Sequence, residues 1–349
     1  MERNIALENA TVPDATLARQ TAVIGAGAWG TALADLLARN GHAVTLWAYE
    51  PDVAASITQQ HENPRFLPGA RLAPTVRATN DLASAVDGAS LVCVATPSHL
   101  LRGILRKAVP HLARAAPLCI ASKGIETETL ALMSDVATEE APGHPVVALS
   151  GPSFAAEVAA RQPTAIVAAS DDEAASVLVQ ETLSNSHFRV YTHDDIIGVE
   201  LGGSLKNVMA VAAGMVDGLG LGHNSRAALI TRGLAEMTRL GVALGAKPAT
   251  FAGLAGLGDL VLTCTGSLSR NRAVGVDVGR GATLAEAVAG KQTVAEGVVT
   301  TRSAHALAAR EGVEMPIVAT VHRILFDGYP ARLAIGELMT RELRAEQDA

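Results

Sequence analysis

Thr21-Ala22-Val23-Ile24-Gly25-Ala26-Gly27-Ala28-Trp29-Gly30-Thr31 is the stretch whose reading decides the fold. Residues 21–24 are apolar and partly β-branched, the pattern of a short strand. Gly25, Gly27 and Gly30 follow at G-x-G-x-x-G spacing. From Thr31 the run Thr-Ala-Leu-Ala-Asp-Leu-Leu-Ala-Arg reads as a helix, and Asn40-Gly41 stops it. A second strand is expected at 44–47. Strand, glycine turn, helix, strand is the setting in which this spacing marks a dinucleotide-binding turn. Gly25 permits the tight turn, Gly27 lets the backbone approach a pyrophosphate, and Gly30 lets helix and strand pack closely. The free N–H groups at the helix start, at the positive end of its dipole, then face the phosphates.

The chain has 349 residues, enough for two domains. Aromatic residues make up only 3% against 49% hydrophobic, so the core is built from Ala, Val, Leu and Ile. A net charge of −7 argues against a general nucleic-acid or membrane-surface role, while leaving room for a local basic pocket. Cys93, Cys119 and Cys264 are odd in number and form no C-x-x-C, which fits buried thiols in a reducing cytoplasm. No apolar run is read as reaching the roughly 18 residues of a membrane span. The ten histidines show no metal-type spacing, so no metal is expected, and no G-x-S-x-G elbow occurs.

Further strands are expected at 75–79, 90–95, 118–122, 146–149 and 164–169, alternating with helices such as 81–87 and 100–114. That alternation predicts a doubly wound, mostly parallel sheet. Residues 61–69 read as a Pro-rich connector in which Asn63 and Arg65 are the polar members. Near Asp195 the pattern becomes helical, with helices expected at 199–216, 226–244, 250–254, 284–289, 300–311, 317–326 and 333–344. The resulting division is an N-terminal extension (1–20), a Rossmann-type α/β domain (21–197) and an all-helical domain (198–349).

Three groups of residues could carry chemistry. Lys123 follows a strand directly, at the sheet edge where ligands bind in such folds. Lys206 lies in the apolar helix Leu201-Gly-Gly-Ser-Leu-Lys-Asn207, where desolvation lowers a lysine pKa into the range useful for general acid–base work. Asp259, after a glycine-rich loop, is a natural partner for a lysine, and Ser269-Arg270-Asn271-Arg272 can hold an oxyanion. At the end of the second strand Tyr49 and Glu50 give neither a clean ribose-binding acid nor a basic residue for a 2′-phosphate, so NAD and NADP both stay open. Read from residues alone, a β-hydroxy-acid dehydrogenase and a non-catalytic dinucleotide sensor remain alternatives.

Taken in order, GAGAWGTALA (25–34), NPRFLPG (63–69), VATPSH (94–99), SKGIE (122–126), SGPSFA (150–155), ELGGSLKN (200–207), GLGDLVLTCTG (256–266), SRNR (269–272) and AEGVVT (295–300) resemble the bacterial NAD(P)-dependent glycerol-3-phosphate dehydrogenase family over about 21–340. The resemblance implies reversible reduction of dihydroxyacetone phosphate to sn-glycerol 3-phosphate with NADP or NAD, for phospholipid synthesis, by a cytoplasmic homodimer. It makes Lys206 the proton acceptor and Lys123 a contact to both substrate and cofactor. Gly151, Ser153, Asn207, Asp259, Ser269, Arg270 and Asn271 become substrate contacts. Gly25, Gly27, Ala28, Trp29, Gly30, Tyr49, Ala155, Val294 and Glu296 become cofactor contacts, with Arg270 near both ligands. Tyr49 departs from the basic residue frequent at its position, and the extension has no counterpart.

Overall fold

The computed structural model describes residues 18–289, 295–340, 342, 343, 345 and 346. Most of the expected extension, residues 1–17, lies outside the described residues, and Gln20 already belongs to the first strand. The strands are β1 (Gln20–Ile24), β2 (Ala43–Trp47), β3 (Glu62–Asn63), β4 (Leu67–Arg71), β5 (Arg77–Thr79), β6 (Leu91–Val94), β7 (Leu118–Ile120), β8 (Val146–Ser150), β9 (Thr164–Ala169) and β10 (Phe188–His193). Eight of them form one sheet in the order β10-β9-β8-β7-β6-β1-β2-β5. The chain leaves β1 for β2 and β5, then crosses back to β6 on the other side of β1. The crevice outside the carboxyl ends of β1 and β6 is therefore the topological switch point, where ligands enter doubly wound sheets. β6 and β7 are buried throughout, as unbroken apolar strands covered on both faces must be.

The sheet departs from the sequence reading in three places. β8 and β9 pair antiparallel, so β9 and β10, parallel to each other, run against the other six strands. β10, Phe-Arg-Val-Tyr-Thr-His, was not expected as a strand; its partner β9 supplies the pairing that its polar residues do not announce. The connector at 61–69 contains the bulged hairpin β3–β4. The helix expected over 100–114 is Leu101–Ala108, after which Val109-Pro110-His111 tightens into a 3-10 turn.

After His193 the described residues contain only helices and turns. Their centre is the helix Ile196–Gly218, buried continuously over 198–216. Asp195 starts it: its carboxylate accepts from the N–H of Gly198 (2.9 Å) and of Lys247 (2.8 Å) and from the Thr250 hydroxyl (2.5 Å). By length and apolar content this helix and the segment Pro248–Thr265 are each long enough to cross a bilayer, which corrects the sequence reading. Of the first, 89% of the most apolar window is buried inside the fold, so its apolar surface already packs against protein.

In the helical half two helices depart from the expectation. Asp259–Thr265 and Arg270–Gly279 were not expected as helices, because glycines and arginines crowd them. Gly214 and Gly218 on the central helix face Gly275 and Gly279 on the second of these helices. A Cβ at Gly214 would run into the Arg272 carbonyl, and one at Gly275 into the Val211 carbonyl. The small residues let the two backbones touch. The helix expected at 250–254 is Pro248–Phe251, followed by a π-type turn over Leu254–Gly258. The last expected helix, 333–344, ends at Met339, and Arg344 lies outside the described residues.

Glu200, on the same central helix, holds the start of helix Met133–Glu140 by accepting from the Ser134 N–H (2.9 Å) and hydroxyl. Burial pushes its carboxyl up to about 8, from an ordinary value of 4.5. The folded protein thus retains a proton that the unfolded chain loses, and stability from this group falls as pH rises between 4.5 and about 8. Glu200→Gln should flatten the decline of Tm across that window. Gly275→Val should cost about 3 kcal/mol in urea unfolding, by forcing the two helices apart.

Candidate active site

The glycine turn has the geometry its spacing implies. Gly25 has φ +109°, and a Cβ there would press on the Ala95 carbonyl. A Cβ at Gly30 would overlap the Gly25 carbonyl, whereas at Gly27 it would meet nothing within 4 Å. Helix Ala28–Arg39 begins at Gly27 with no side-chain cap and no acidic residue in its first turn, so its first N–H groups are left for a ligand. This open, donor-rich cradle fits a dinucleotide pyrophosphate. Asn63 braces it from the hairpin, donating to the Ala26 carbonyl (2.9 Å) and the Thr31 hydroxyl (2.8 Å), while its own oxygen accepts from Phe66 N–H. A residue read as part of a connector therefore supports the turn.

Tyr49 is 76% exposed at the end of β2 and stands edge-on to Trp47. Beside it Glu50 and Arg65 face each other at 3.9 Å, so this end of the crevice offers both a carboxylate and a guanidinium. Ala28, Trp29 and Ala155 are half-buried, and the Trp29 indole N–H is buried with no hydrogen-bond partner. Glu296 accepts from the Ser98 hydroxyl at 3.0 Å, and burial raises its carboxyl above the ordinary range. Val294 lies outside the described residues.

The charged centre lies where the sheet meets the central helix. Lys206 is 8% exposed and Asp259 is fully buried. Lys206 Nζ donates to Asp259 Oδ1 at 2.5 Å, and Lys123 Nζ, arriving from the end of β7, donates to Asp259 Oδ2 at 2.7 Å. Burial draws the Lys206 ammonium down to about 8; Asp259 resists the shift, and the like charge of Lys123 adds to it. For Asp259 burial works toward protonation, but Lys123 and Lys206 overturn it and hold the carboxyl below its usual range. Thr263 was missed. Its hydroxyl accepts from Lys206 Nζ (3.0 Å) while donating to the Asp259 carbonyl (2.6 Å). The i,i+4 spacing of Asp259 and Thr263 would have revealed it had 259–265 been read as helix.

Gly151, with φ +142°, turns the chain after β8, and its carbonyl accepts from Lys123 Nζ (3.4 Å) and from the Ser153 hydroxyl (3.0 Å). Glu126, three residues beyond Lys123, takes no part: Arg102 binds both its oxygens, at 2.9 and 2.8 Å. Ser269 caps helix Arg270–Gly279 through the Arg272 N–H. Asn271 receives the Gly297 N–H (3.0 Å) and donates to Asn207 (2.9 Å), which brings this helix start beside Lys206. The arginine pair of the sequence reading is divided. Arg270 is exposed, but Arg272 is committed to Asp217, its Nε at 2.8 Å, and Arg226 shares the same carboxylate.

A phosphate cradle at the switch point, with a buried ammonium–carboxylate–ammonium set beside it, defines a two-domain NAD(P)-dependent dehydrogenase. Residues 20–176 match the description "NAD-dependent glycerol-3-phosphate dehydrogenase N-terminus", and residues 195–336 match its C-terminal counterpart. The chain belongs to the NAD-dependent glycerol-3-phosphate dehydrogenase family. It is 56% identical to the glycerol-3-phosphate dehydrogenase [NAD(P)+] of Geobacter sp. strain M21 over 333 residues, covering 95% of this chain and 99% of that one. The Myxococcus xanthus relative of the same name is 51% identical over 327 residues, covering 93% and 98%. The crystal structure of glycerol-3-phosphate dehydrogenase from Coxiella burnetii superposes with a TM-score of 0.90 at 42% identity, covering 93% of this chain and 99% of that chain.

Asp259→Asn would leave two ammonium groups facing each other in a buried site. It should cost about 3–5 kcal/mol of stability and most of the activity, measured by urea unfolding and initial rates.

Proposed function

We propose that the protein reduces dihydroxyacetone phosphate to sn-glycerol 3-phosphate, reversibly, using NADPH or NADH, and so supplies the glycerol backbone of phospholipids. The observation that carries this is Asp259 bound at once by Lys206 (2.5 Å) and Lys123 (2.7 Å), beside a phosphate-competent helix start. We divide the labour between residues 21–197, which hold the dinucleotide, and residues 198–349, which hold the triose phosphate. The three cysteines are free and buried, in keeping with a cytoplasmic protein. A homodimer is part of the same reading.

Gly25, Gly27 and Gly30, with the first N–H groups of helix Ala28–Arg39, would hold the pyrophosphate. Ala28, Trp29, Tyr49, Ala155, Arg270, Val294 and Glu296 would line the rest of the cofactor. When bound, the reduced nicotinamide supplies a hydride to the substrate C2 carbonyl. Ser269, Arg270 and Asn271 bind the substrate phosphate, which gives binding energy remote from the reacting carbon. Gly151, Ser153 and Asn207 shape the pocket around the triose. Lys123 polarises and positions the carbonyl oxygen. Lys206 gives its Nζ proton to the developing alkoxide and takes it back in the oxidative direction. Asp259 keeps both lysines in place.

An initial-rate assay with dihydroxyacetone phosphate and either NADPH or NADH tests the reaction, and the ratio of the two efficiencies shows what Tyr49, Glu50 and Arg65 select. No turnover with either would remove the triose phosphate as substrate. Lys206→Ala should lower kcat about 100- to 10,000-fold while leaving cofactor binding largely intact. With Lys206 titrating near 8, reduction should slow as pH rises through that value and oxidation should slow as pH falls through it. Lys206→Ala should abolish both inflections.

A further inference from the structure

A cavity of about 470 Å³ opens where the C-terminal end of helix Ala28–Arg39 meets residues 158–162 and 185–188. That helix has 12 residues, so its two ends stand about 18 Å apart, and the cavity is separate from the glycine turn at the other end. The volume is that of a small-molecule site.

Its wall is cationic in a chain of net charge −7. Asp35 is the single acidic residue lining it, and it is already satisfied by Arg39 Nε (2.7 Å) and the Ala73 N–H (2.6 Å). Arg39 also gives Nη2 to the Arg71 carbonyl, and its Nη1 has no hydrogen-bond partner among the described residues. His187 shares Nδ1 with Ser186 and keeps Nε2. Arg161 and Gln162 are exposed, and their side chains have no hydrogen-bond or ion-pair partner among the described residues. Val158 and Phe188 supply an apolar floor.

The backbone adds an independent observation. After helix Ala155–Ala159 the Arg161 N–H bonds the Val158 carbonyl, the Gln162 N–H bonds the Glu157 carbonyl, and Arg161 adopts φ +60°. This is the left-handed closing position that favours glycine. An arginine held there against its backbone preference, at the rim of a basic cavity, has the character of a binding residue. We propose that this cavity is a second, non-catalytic site for a small metabolite bearing a phosphate or carboxylate. Arg161, Arg39 and His187 would meet the anion, and the apolar floor would meet the remainder.

The test is the Tm of the full chain, saturated with NADP, against inorganic phosphate and separately malonate, up to about 10 mM. Wild type, Arg161→Gly and Arg270→Ala are compared. The expected result is a saturable rise with at least one anion in wild type and in Arg270→Ala, lost in Arg161→Gly. Arg161→Gly itself should be at least as stable as wild type, because glycine suits the backbone there, so its loss of response cannot be unfolding. Which of the two anions acts separates phosphate from carboxylate ligands. A rise kept in Arg161→Gly and lost in Arg270→Ala would assign the anion to the substrate cleft and overturn the proposal. So would an equal response in all three proteins, which is bulk salt stabilisation, or no saturable response in wild type.

Discussion

A carboxylate buried to zero exposure between two lysines constrains much of this molecule. Either ammonium alone, or Asp259 alone, would be too costly to bury. Together they leave one net positive charge in the buried site, and burial brings the Lys206 ammonium into the range of neutral-pH proton transfer. The three groups come from three elements: the end of β7, the middle of the helix Ile196–Gly218 and the start of helix Asp259–Thr265. Bringing them within hydrogen-bond reach requires close backbone approach. Gly202 meets the Ala255 carbonyl and Gly203 meets Ser150, positions where a Cβ would not fit.

The cofactor side obeys a different constraint. There the chain must leave donors unpaired, and an uncapped helix start over an open Gly27 does so. The cost of an exposed turn is met by bracing from outside: Asn63 ties it from the hairpin β3–β4. Further contacts join this half to the helical half. Ser98 bonds Glu296, and Ser204 donates to the Gly124 carbonyl at 3.1 Å beside Lys123. The lysine pair and the cleft are thus positioned by the same polar contacts that join the two halves.

Glycine does two kinds of work. At Gly25 and Gly151 it provides a conformation, since φ is positive there. At Gly30, Gly214 and Gly275 it provides contact, and the last two let two helices touch through their backbones. Helical glycine lowers propensity, and this is why Arg270–Gly279 does not look like a helix from composition. Tertiary packing against the central helix overrides that preference.

The glycine spacing, the alternation of strands and helices up to Asp195 and the helical remainder were legible in the sequence, because periodicity and turn chemistry are local properties. So was the low-pKa character of Lys206, since a lysine amid Leu, Gly and Val is desolvated in any fold that buries that helix. Long-range geometry was not legible. The antiparallel pairing of β8 with β9, the strand β10, the bracing by Asn63, the hydroxyl of Thr263 and the commitment of Arg272 to Asp217 all depend on residues distant in the chain or on a helix hidden by its glycines. Residue types and local spacing decide which groups are available. Which of them meet, and at what charge, is decided only when the sheet edge closes onto the buried helix and removes the water between them.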